Sequence, residues 1–292
     1  MYAAAASIIE KISTGNKWVL GVTSVDDELF VLLYQADNQV AVYSVNDYQL
    51  LRHLNVPEFR TNDASDMTSC VRHKCLYMSD YYGSCVHRYD LRTKLGAKIK
   101  RIVGQNADSC ISKWPVSGKP CGPSVTPDCN LLVICWSASN KLVELSARSG
   151  KCVREIALQS DIAYPYHGVQ LTTGELVICH GLQDDDLHRV SVVGDDSQVT
   201  RSYGGQCGSD VGQMTCPSHL AVDKDSQNIF VADGGNDRVV LLSPALEFVR
   251  YVSEGLSEPR RLHFHQATRR LFVGQSWDKT VSVIQLYIDV TE

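Results

Sequence analysis

The sequence predicts an all-β fold, a six-bladed β-propeller of four-stranded antiparallel blades. Three observations support this prediction. An apolar triplet recurs six times at intervals of roughly 50 residues, the segments around it are short and rich in Val, Ile, Tyr and Phe, and polar, Gly or Pro residues interrupt them every few positions. Such a repeat is typical of folds in which each unit buries its faces against its neighbours. The triplets lie at residues 30–32, 77–79, 133–135, 177–179, 230–232 and 272–274.

The repeat at residues 217–252 shows the order of its parts most clearly. A first apolar segment leads through a polar turn into a second at 229–232, and the loop Gly234-Gly235-Asn236 leads into a third. A Ser-Pro turn then leads into a fourth segment at 248–252. This order predicts an antiparallel meander of four strands. The segments are too short for helices, so we expect almost no helix.

The remaining units align with this repeat, so we expect a single propeller domain over residues 1–292. The expected blades are at about 13–60, 61–113, 114–160, 161–205, 206–254 and 255–292. The sixth unit reaches the end of the sequence without a fourth strand. We therefore expect residues 1–12 to supply the outer strand of the last blade and close the ring. Closure of this kind removes open sheet edges.

The composition excludes several classes of protein. The 292 residues carry a formal net charge of -5, which argues against a surface that neutralises phosphates, so DNA is not an expected partner. No stretch approaches the about 20 apolar residues of a membrane span, and the first residues lack the basic region of a signal peptide. Eleven cysteines are an odd number, which argues against a fully paired disulfide framework and predicts reduced thiols and a cytoplasmic location.

The fifth unit carries a family resemblance. Pro217, Asp223, Asp233, Asn236 and Arg238 stand in an order and spacing that resemble an NHL repeat. The ending at 269–275 is similar to the last blade of the propellers in animal tripartite-motif (TRIM-NHL-like) proteins. Other units depart from the pattern after their second strand.

The departures occur at Tyr34, Trp136 and His180, which stand where the fifth unit has its aspartate. The resemblance implies a non-enzymatic recognition module, the partner-recruiting part of a larger protein with RING, B-box and coiled-coil regions. None of those regions is recognised in this sequence. We accordingly expect a protein or peptide ligand and no cofactor.

The predicted contact surface surrounds the mouth of the central channel. In a propeller, the loops that lead into the innermost strands share one face with the loops between second and third strands. The innermost-strand positions that the repeat aligns there are Val19, Thr68, Gly122, His167, His219 and Arg261. Large aromatic and arginine side chains suit a contact surface because they provide much contact area with little loss of entropy. The predicted binding residues are Trp18, Tyr81, Tyr82, Trp136, Tyr166, His167, His219, Arg260, Arg261 and Trp277.

Two alternatives remain open. A metal-dependent lyase or lactonase-type enzyme would use His167, His180 and His219, but zinc catalysis needs three protein ligands, and no acidic residue is expected in the ring. Single-stranded RNA could instead bind through Arg260, Arg261, Arg88, His219, Tyr81 and Tyr82. The aspartates at 184–186 and at 278 share that face and oppose RNA. We therefore expect no metal, and RNA only as the second choice.

Overall fold

The computed structural model describes residues 6–34, 38–54, 56, 65–92, 110–181, 187–194 and 196–287. Its strands form six four-stranded antiparallel sheets, so the predicted six-bladed propeller is confirmed. Five of the sheets consist of four consecutive strands, and the sixth joins the last three strands to the first. Each blade is thus a meander in which a strand pairs with its neighbours in sequence.

The strands of the first three blades follow one another along the chain. Blade 1 contains β2 (Trp18–Val25), β3 (Glu28–Tyr34), β4 (Asn38–Ser44) and β5 (Leu50–Leu54). Blade 2 contains β6 (Met67–Cys70), β7 (Cys75–Asp80), β8 (Cys85–Asp90) and β9 (Ile111–Pro115). Blade 3 contains β10 (Lys119–Val125), β11 (Leu131–Trp136), β12 (Lys141–Leu145) and β13 (Cys152–Ala157).

The same order continues in the second half of the ring. Blade 4 contains β14 (Pro165–Gln170), β15 (Leu176–His180), β16 (His188–Val193) and β17 (Val199–Gly205). Blade 5 contains β18 (Pro217–Val222), β19 (Ile229–Asp233), β20 (Arg238–Leu242) and β21 (Phe248–Ser253). Blade 6 contains β22 (Pro259–His265), β23 (Arg270–Gln275) and β24 (Thr280–Leu286), completed by β1 (Ala6–Ser13).

The hydrophobic core lies between neighbouring blades. Val177 of blade 4 and Val231 of blade 5 are fully buried in one cluster, and Val31 of blade 1 shares another with Phe272 of blade 6. The side chains of a strand alternate between the two faces of its sheet, so the second strand of a blade contacts both adjacent blades. A single blade therefore has no complete core of its own.

The predicted closure of the ring by the N-terminal strand is confirmed. β1 pairs antiparallel with β24, from Ala6 opposite Leu286 to Ser13 opposite Thr280. Ile12 is the buried side chain of β1 and packs in the cluster that contains Phe272. The hydroxyl of Thr14 donates to the carbonyl oxygen of Lys279 at 2.5 Å just beyond the strand. This closure covers the outer edge of β24.

Helix is confined to short turns in the described residues. Two of these turns are 3-10 helices, Gly234–Asn236 and Gln266–Thr268. Among the described residues there is accordingly no helix with the length and apolar character of a membrane span. All eleven cysteines lie in the described part of the chain and are free thiols.

Candidate functional site

Buried polar side chains from several innermost strands meet inside the central channel. His167 lies opposite Cys179, and His219 lies opposite Ala232, each immediately after a bulge in its strand. Arg261 follows the corresponding bulge of blade 6. Because the three residues hold the same position in their blades, their side chains enter the channel at one level.

Asp66 is the acidic member of this group. Its backbone pairs with Ser79, just before β6 begins, which gives it the position in blade 2 that His219 has in blade 5. One carboxylate oxygen lies 3.0 Å from Nε2 of His219, and the other lies 3.3 Å from Nε of Arg261. Blades 2 and 5 are opposite in a six-membered ring, so Asp66 connects the two sides of the channel. We call Asp66, His167, His219 and Arg261 the channel cluster.

The two histidines of the channel cluster are stacked. Their ring centroids are 3.7 Å apart. The backbone N–H of Leu220 donates to Nδ1 of His167, and that of Leu262 donates to Nδ1 of His219, each at 3.4 Å. Since Nδ1 of His219 accepts, its ring proton is assigned to Nε2, which donates to Asp66. Burial, reinforced by His219 and Arg261, holds the pKa of His167 well below its usual value.

Arg261 is a structural part of the channel wall. Its Nε donates to the carbonyl oxygen of Leu20 at 2.7 Å, and its Nη2 donates to that of Ser65 at 2.9 Å. Arg261, His167 and His219 are only 4%, 3% and 6% exposed. The sequence placed these three residues on the contact surface, but they lie inside the channel, where they contact one another rather than solvent.

Three further expectations about the ring need correction. The expectation that the ring contains no acidic residue was wrong, because Asp66 is in the channel cluster. Thr68 does not hold the position equivalent to His219, since it lies opposite Tyr77, two residues further along. His180 does not join the other histidines: its Nε2 is 2.9 Å from the hydroxyl of Ser191 in its own blade. Burial lowers the pKa of His180 to about 4.

The channel cluster includes three residues, one carboxylate and two imidazoles, that could hold a metal. Ligand atoms of Asp66, His167 and His219 lie within 4.8 Å of one another. The guanidinium of Arg261 contacts the same carboxylate, however, and a second cation at that carboxylate would be repelled. The predicted alternative set with His180 is not assembled.

Two aromatic surfaces flank the mouth of the channel. The first is a cavity of about 160 Å³ between blades 6 and 1, which we call the mouth pocket. It contains four of the predicted binding residues, and Trp18 and Trp277 are 39% and 69% exposed. Nη2 of Arg260 pairs with Glu258 at 2.7 Å. The lining residues are Trp18, Val19, Leu20, Glu258, Arg260, Arg261, Ser276 and Trp277.

The second surface, which we call the aromatic row, runs from blade 2 to blade 4. Tyr81 makes edge contacts with Tyr82 and with Trp136, at centroid distances of 5.2 and 5.8 Å. Trp136 in turn contacts Tyr166 at 5.6 Å and Tyr164 at 6.3 Å. The indole N–H of Trp136 donates to the carbonyl oxygen of Pro165 at 2.6 Å, which fixes the centre of the row.

The structure thus brings the predicted binding residues together in three groups, the mouth pocket, the aromatic row and the channel cluster. The sequence missed Asp66, Tyr164 and Glu258. The aspartates at 184–186, which were expected on this face, lie outside the described residues.

No family model and no curated protein matches the chain. Solved structures match with low identity. A streptogramin B lyase structure is 11% identical over 96% of this chain and 98% of its own, with a TM-score of 0.62. A catalytically inactive virginiamycin B lyase from Staphylococcus aureus with quinupristin is 10% identical over 98% of this chain and 90% of its own, with a TM-score of 0.62. A Bacteroides thetaiotaomicron protein of unknown function is 12% identical over 98% of this chain and 76% of its own, with a TM-score of 0.67.

These likenesses establish the propeller fold and nothing finer, because all the identities are far below those at which function is shared. They include enzymes as well as a protein of unknown function. The NHL resemblance of the fifth unit stays a prediction.

Proposed function

We propose that this propeller is a non-enzymatic recognition module that binds a protein or peptide at the mouth of its channel. The observation that carries the proposal is the exposure of Trp277 and Trp18, which both line the mouth pocket. Large exposed aromatic side chains next to an arginine are typical of the residues that contribute most to protein binding. Tyr82 and Tyr164, which are 53% and 48% exposed, extend such a surface along the aromatic row.

The charges around the mouth favour a peptide over a nucleic acid. Arg261 is paired with Asp66 inside the channel, and Arg260 is paired with Glu258 at the pocket. Phosphate binding depends on arginine and lysine side chains that are not already neutralised. The mouth pocket therefore offers aromatic area and a mixed charge, which suits a peptide with an apolar side chain.

Selection from a random peptide library on the immobilised propeller would test the proposal. The selected peptides are then measured by fluorescence polarisation against Trp18→Ala and Trp277→Ala. We expect each variant to weaken binding by at least about tenfold, the effect of losing about 1.4 kcal/mol at a binding hot spot. Leu51→Ala is the matched control, because Leu51 is 50% exposed on the outer strand of blade 1.

Two results would reject the peptide proposal. One is equal binding of the selected peptides to Trp277→Ala and the unchanged chain. The other is tighter binding of a random single-stranded RNA pool, at physiological salt, than of any selected peptide. The second result would replace the peptide by RNA, the alternative ligand that stacked aromatic side chains also suit.

An enzyme is the third candidate, and the hydrogen bond between His219 and Asp66 is the observation that favours it. A histidine oriented by a carboxylate is a common general base. The streptogramin B lyases share this fold, so quinupristin is a suitable substrate to try. Its chromatographic loss with the unchanged chain, but not with His219→Gln, would support a lyase. The burial of His219 leads us to expect no loss.

A further inference from the structure

A buried carboxylate lies at the end of the second strand in blade 5 and again in blade 2. In blade 5, Asp233 is fully buried and its Oδ2 is 2.8 Å from Nε of Arg238, the residue opposite it on the third strand. The backbone N–H of Thr215 donates to the other oxygen at 2.7 Å. A buried carboxylate needs such a cation and such hydrogen bonds to offset its loss of water.

Blade 2 has the same carboxylate but a different partner. Asp80 is 4% exposed and lies opposite Cys85, which takes the place of Arg238. His87 is two residues beyond Cys85, so its side chain points to the same face of β8. Asp80 thus has a thiol and an imidazole as neighbours where the equivalent carboxylate has a guanidinium.

The three side chains have the spacing of a tetrahedral metal site. Oδ2 of Asp80 is 3.0 Å from Nε2 of His87 and 3.5 Å from Sγ of Cys85, and Sγ is 3.6 Å from Nε2. Oxygen, nitrogen and sulfur ligands at their usual distances from a tetrahedral Zn²⁺ are about 3.3 to 3.6 Å from one another. Small shifts of the side chains would admit the ion.

The turn between the two strands orients the carboxylate. The backbone N–H of Gly83 donates to Oδ1 of Asp80 at 2.7 Å and leaves Oδ2 directed at Cys85 and His87. A Cβ atom at residue 83 would lie 2.1 Å from Oδ2, so the close approach depends on glycine. Outer hydrogen bonds of this kind are common around metal ligands because they hold the ligand in place.

We propose that Asp80, Cys85 and His87 bind a Zn²⁺ ion in blade 2. A mixed sulfur, nitrogen and oxygen set suits zinc better than magnesium or calcium, which prefer oxygen ligands alone. The thiolate and the carboxylate balance the two charges of the ion, as Arg238 balances Asp233 in blade 5. Three protein ligands leave the fourth position to water.

Lys113 is the group that opposes a cation at this site. It lies on β9 opposite His87, and its positively charged ammonium group is close enough to the Cys85 thiol to hydrogen-bond with it. The Lys113 side chain is exposed, so it has room to turn towards solvent when the ion binds.

A structural role fits this site better than a catalytic one. Asp80, Cys85 and His87 are 4%, 0% and 6% exposed, so a substrate would not reach an ion held between them. The ion would connect β7 to β8 directly below Tyr81 and Tyr82, which begin the turn between these strands. It would thereby hold one end of the aromatic row.

X-ray absorption at the zinc edge tests the ligand set without altering it. The sample is the chain with Cys152→Ser and Cys207→Ser, which removes two exposed thiols, loaded with one equivalent of Zn²⁺. We expect one sulfur at about 2.3 Å and nitrogen or oxygen neighbours at about 2.0 to 2.2 Å. A spectrum that shows no sulfur ligand, or two or more sulfur ligands, would overturn the proposal.

Zinc affinity, measured by competition with a chromogenic chelator, tests the residues. In the same background, Cys85→Ser and His87→Gln should each weaken binding more than the about 10- to 100-fold that losing an outer partner of a ligand costs. Cys135→Ser is the matched control, since Cys135 is an equally buried thiol in blade 3, and its affinity should stay within about twofold.

Unchanged affinity in Cys85→Ser would overturn the site, as would an equal loss in Cys135→Ser. If a variant fails to fold, as judged by circular dichroism, the absorption spectrum of the unsubstituted ligand set decides. A chain that binds no zinc would mean that Asp80 and His87 form a plain hydrogen-bonded pair.

Discussion

A carboxylate in the middle of a propeller channel needs partners, and Asp66 has them in His219 of the opposite blade and Arg261 of blade 6. Gly21 makes this arrangement possible. A Cβ atom there would lie 2.7 Å from Met67 and 3.2 Å from Oδ1 of Asp66. At this level the channel therefore contains Asp66 and Arg261, whose charges neutralise one another.

Asp66→Asn should destabilise the chain strongly, because it keeps the size of the side chain but leaves Arg261 buried without its counter-charge. Removing one partner of a buried ion pair costs about 3 to 5 kcal/mol. Asp26→Asn is the control: Asp26 pairs with Lys74 at the surface, where such a pair contributes about 0 to 1 kcal/mol. Urea unfolding measures both, and similar losses in the two variants would contradict this account of the channel.

The channel residues show how far the sequence determines a site. Asp66 stands eleven residues before Tyr77, the same spacing as His219 to Phe230, so regular counting identifies it. The prediction took Thr68 instead. In blade 1 the same spacing leads to Val19, but a shorter turn between β2 and β3 moves the register, and Gly21 pairs with Leu32. The length of the turn between the first and second strands changes their pairing register, and the apolar pattern alone does not show this change.

At the level of the strands, four blades share one contact at the end of the second strand. In four blades a buried polar residue there contacts a side chain of the third strand. The pairs are Asp80 with His87, His180 with Ser191, Asp233 with Arg238, and Gln275 with Ser282. The family pattern identified only the two aspartates, because the contact is conserved in geometry between these blades and not in residue type. Side-chain chemistry at such a position follows from its neighbours in space.

The strands themselves were more predictable than their ends. All six apolar triplets lie within the second strands of their blades. These strands are buried on both faces, so their composition is set by packing against two neighbours, and the signal is strong. The closing strand was predictable for a different reason, because a strand is needed to pair with the backbone edge of β24.

β1 provides a test of closure at the level of one element. Ile12 is 6% exposed and packs against Phe272, whereas Ile9 on the same strand is 41% exposed. Ile12→Ala should lower the free energy of unfolding by about 2 to 5 kcal/mol. Ile9→Ala should change it by no more than about 0.5 kcal/mol. Both are measured by urea unfolding, and equal effects would show that β1 is not seated as described.

At the scale of the whole molecule, the ring has one seam. Five blades are formed by consecutive strands, so the loss of β1 leaves the strand pairing within them intact. Blade 6 depends on two segments from opposite ends of the sequence, β1 and β22 to β24. The contact between blades 6 and 1 also contains the mouth pocket, so closure and the proposed binding surface share residues.

Removing residues 1–13 should therefore open the molecule at this seam. The deletion exposes the backbone edge of β24 and the cavity left by Ile12, so we expect the melting temperature to fall by several degrees, at about 2 to 4 °C per kcal/mol lost. The open edge should also raise the mass in light scattering, because unpaired strands associate. A synthetic peptide of residues 6–14 added in trans should restore the melting temperature, while the same peptide with Ile12→Asp should not. An unchanged melting curve in the truncated chain, or equal rescue by both peptides, would mean that closure does not depend on the buried face of β1.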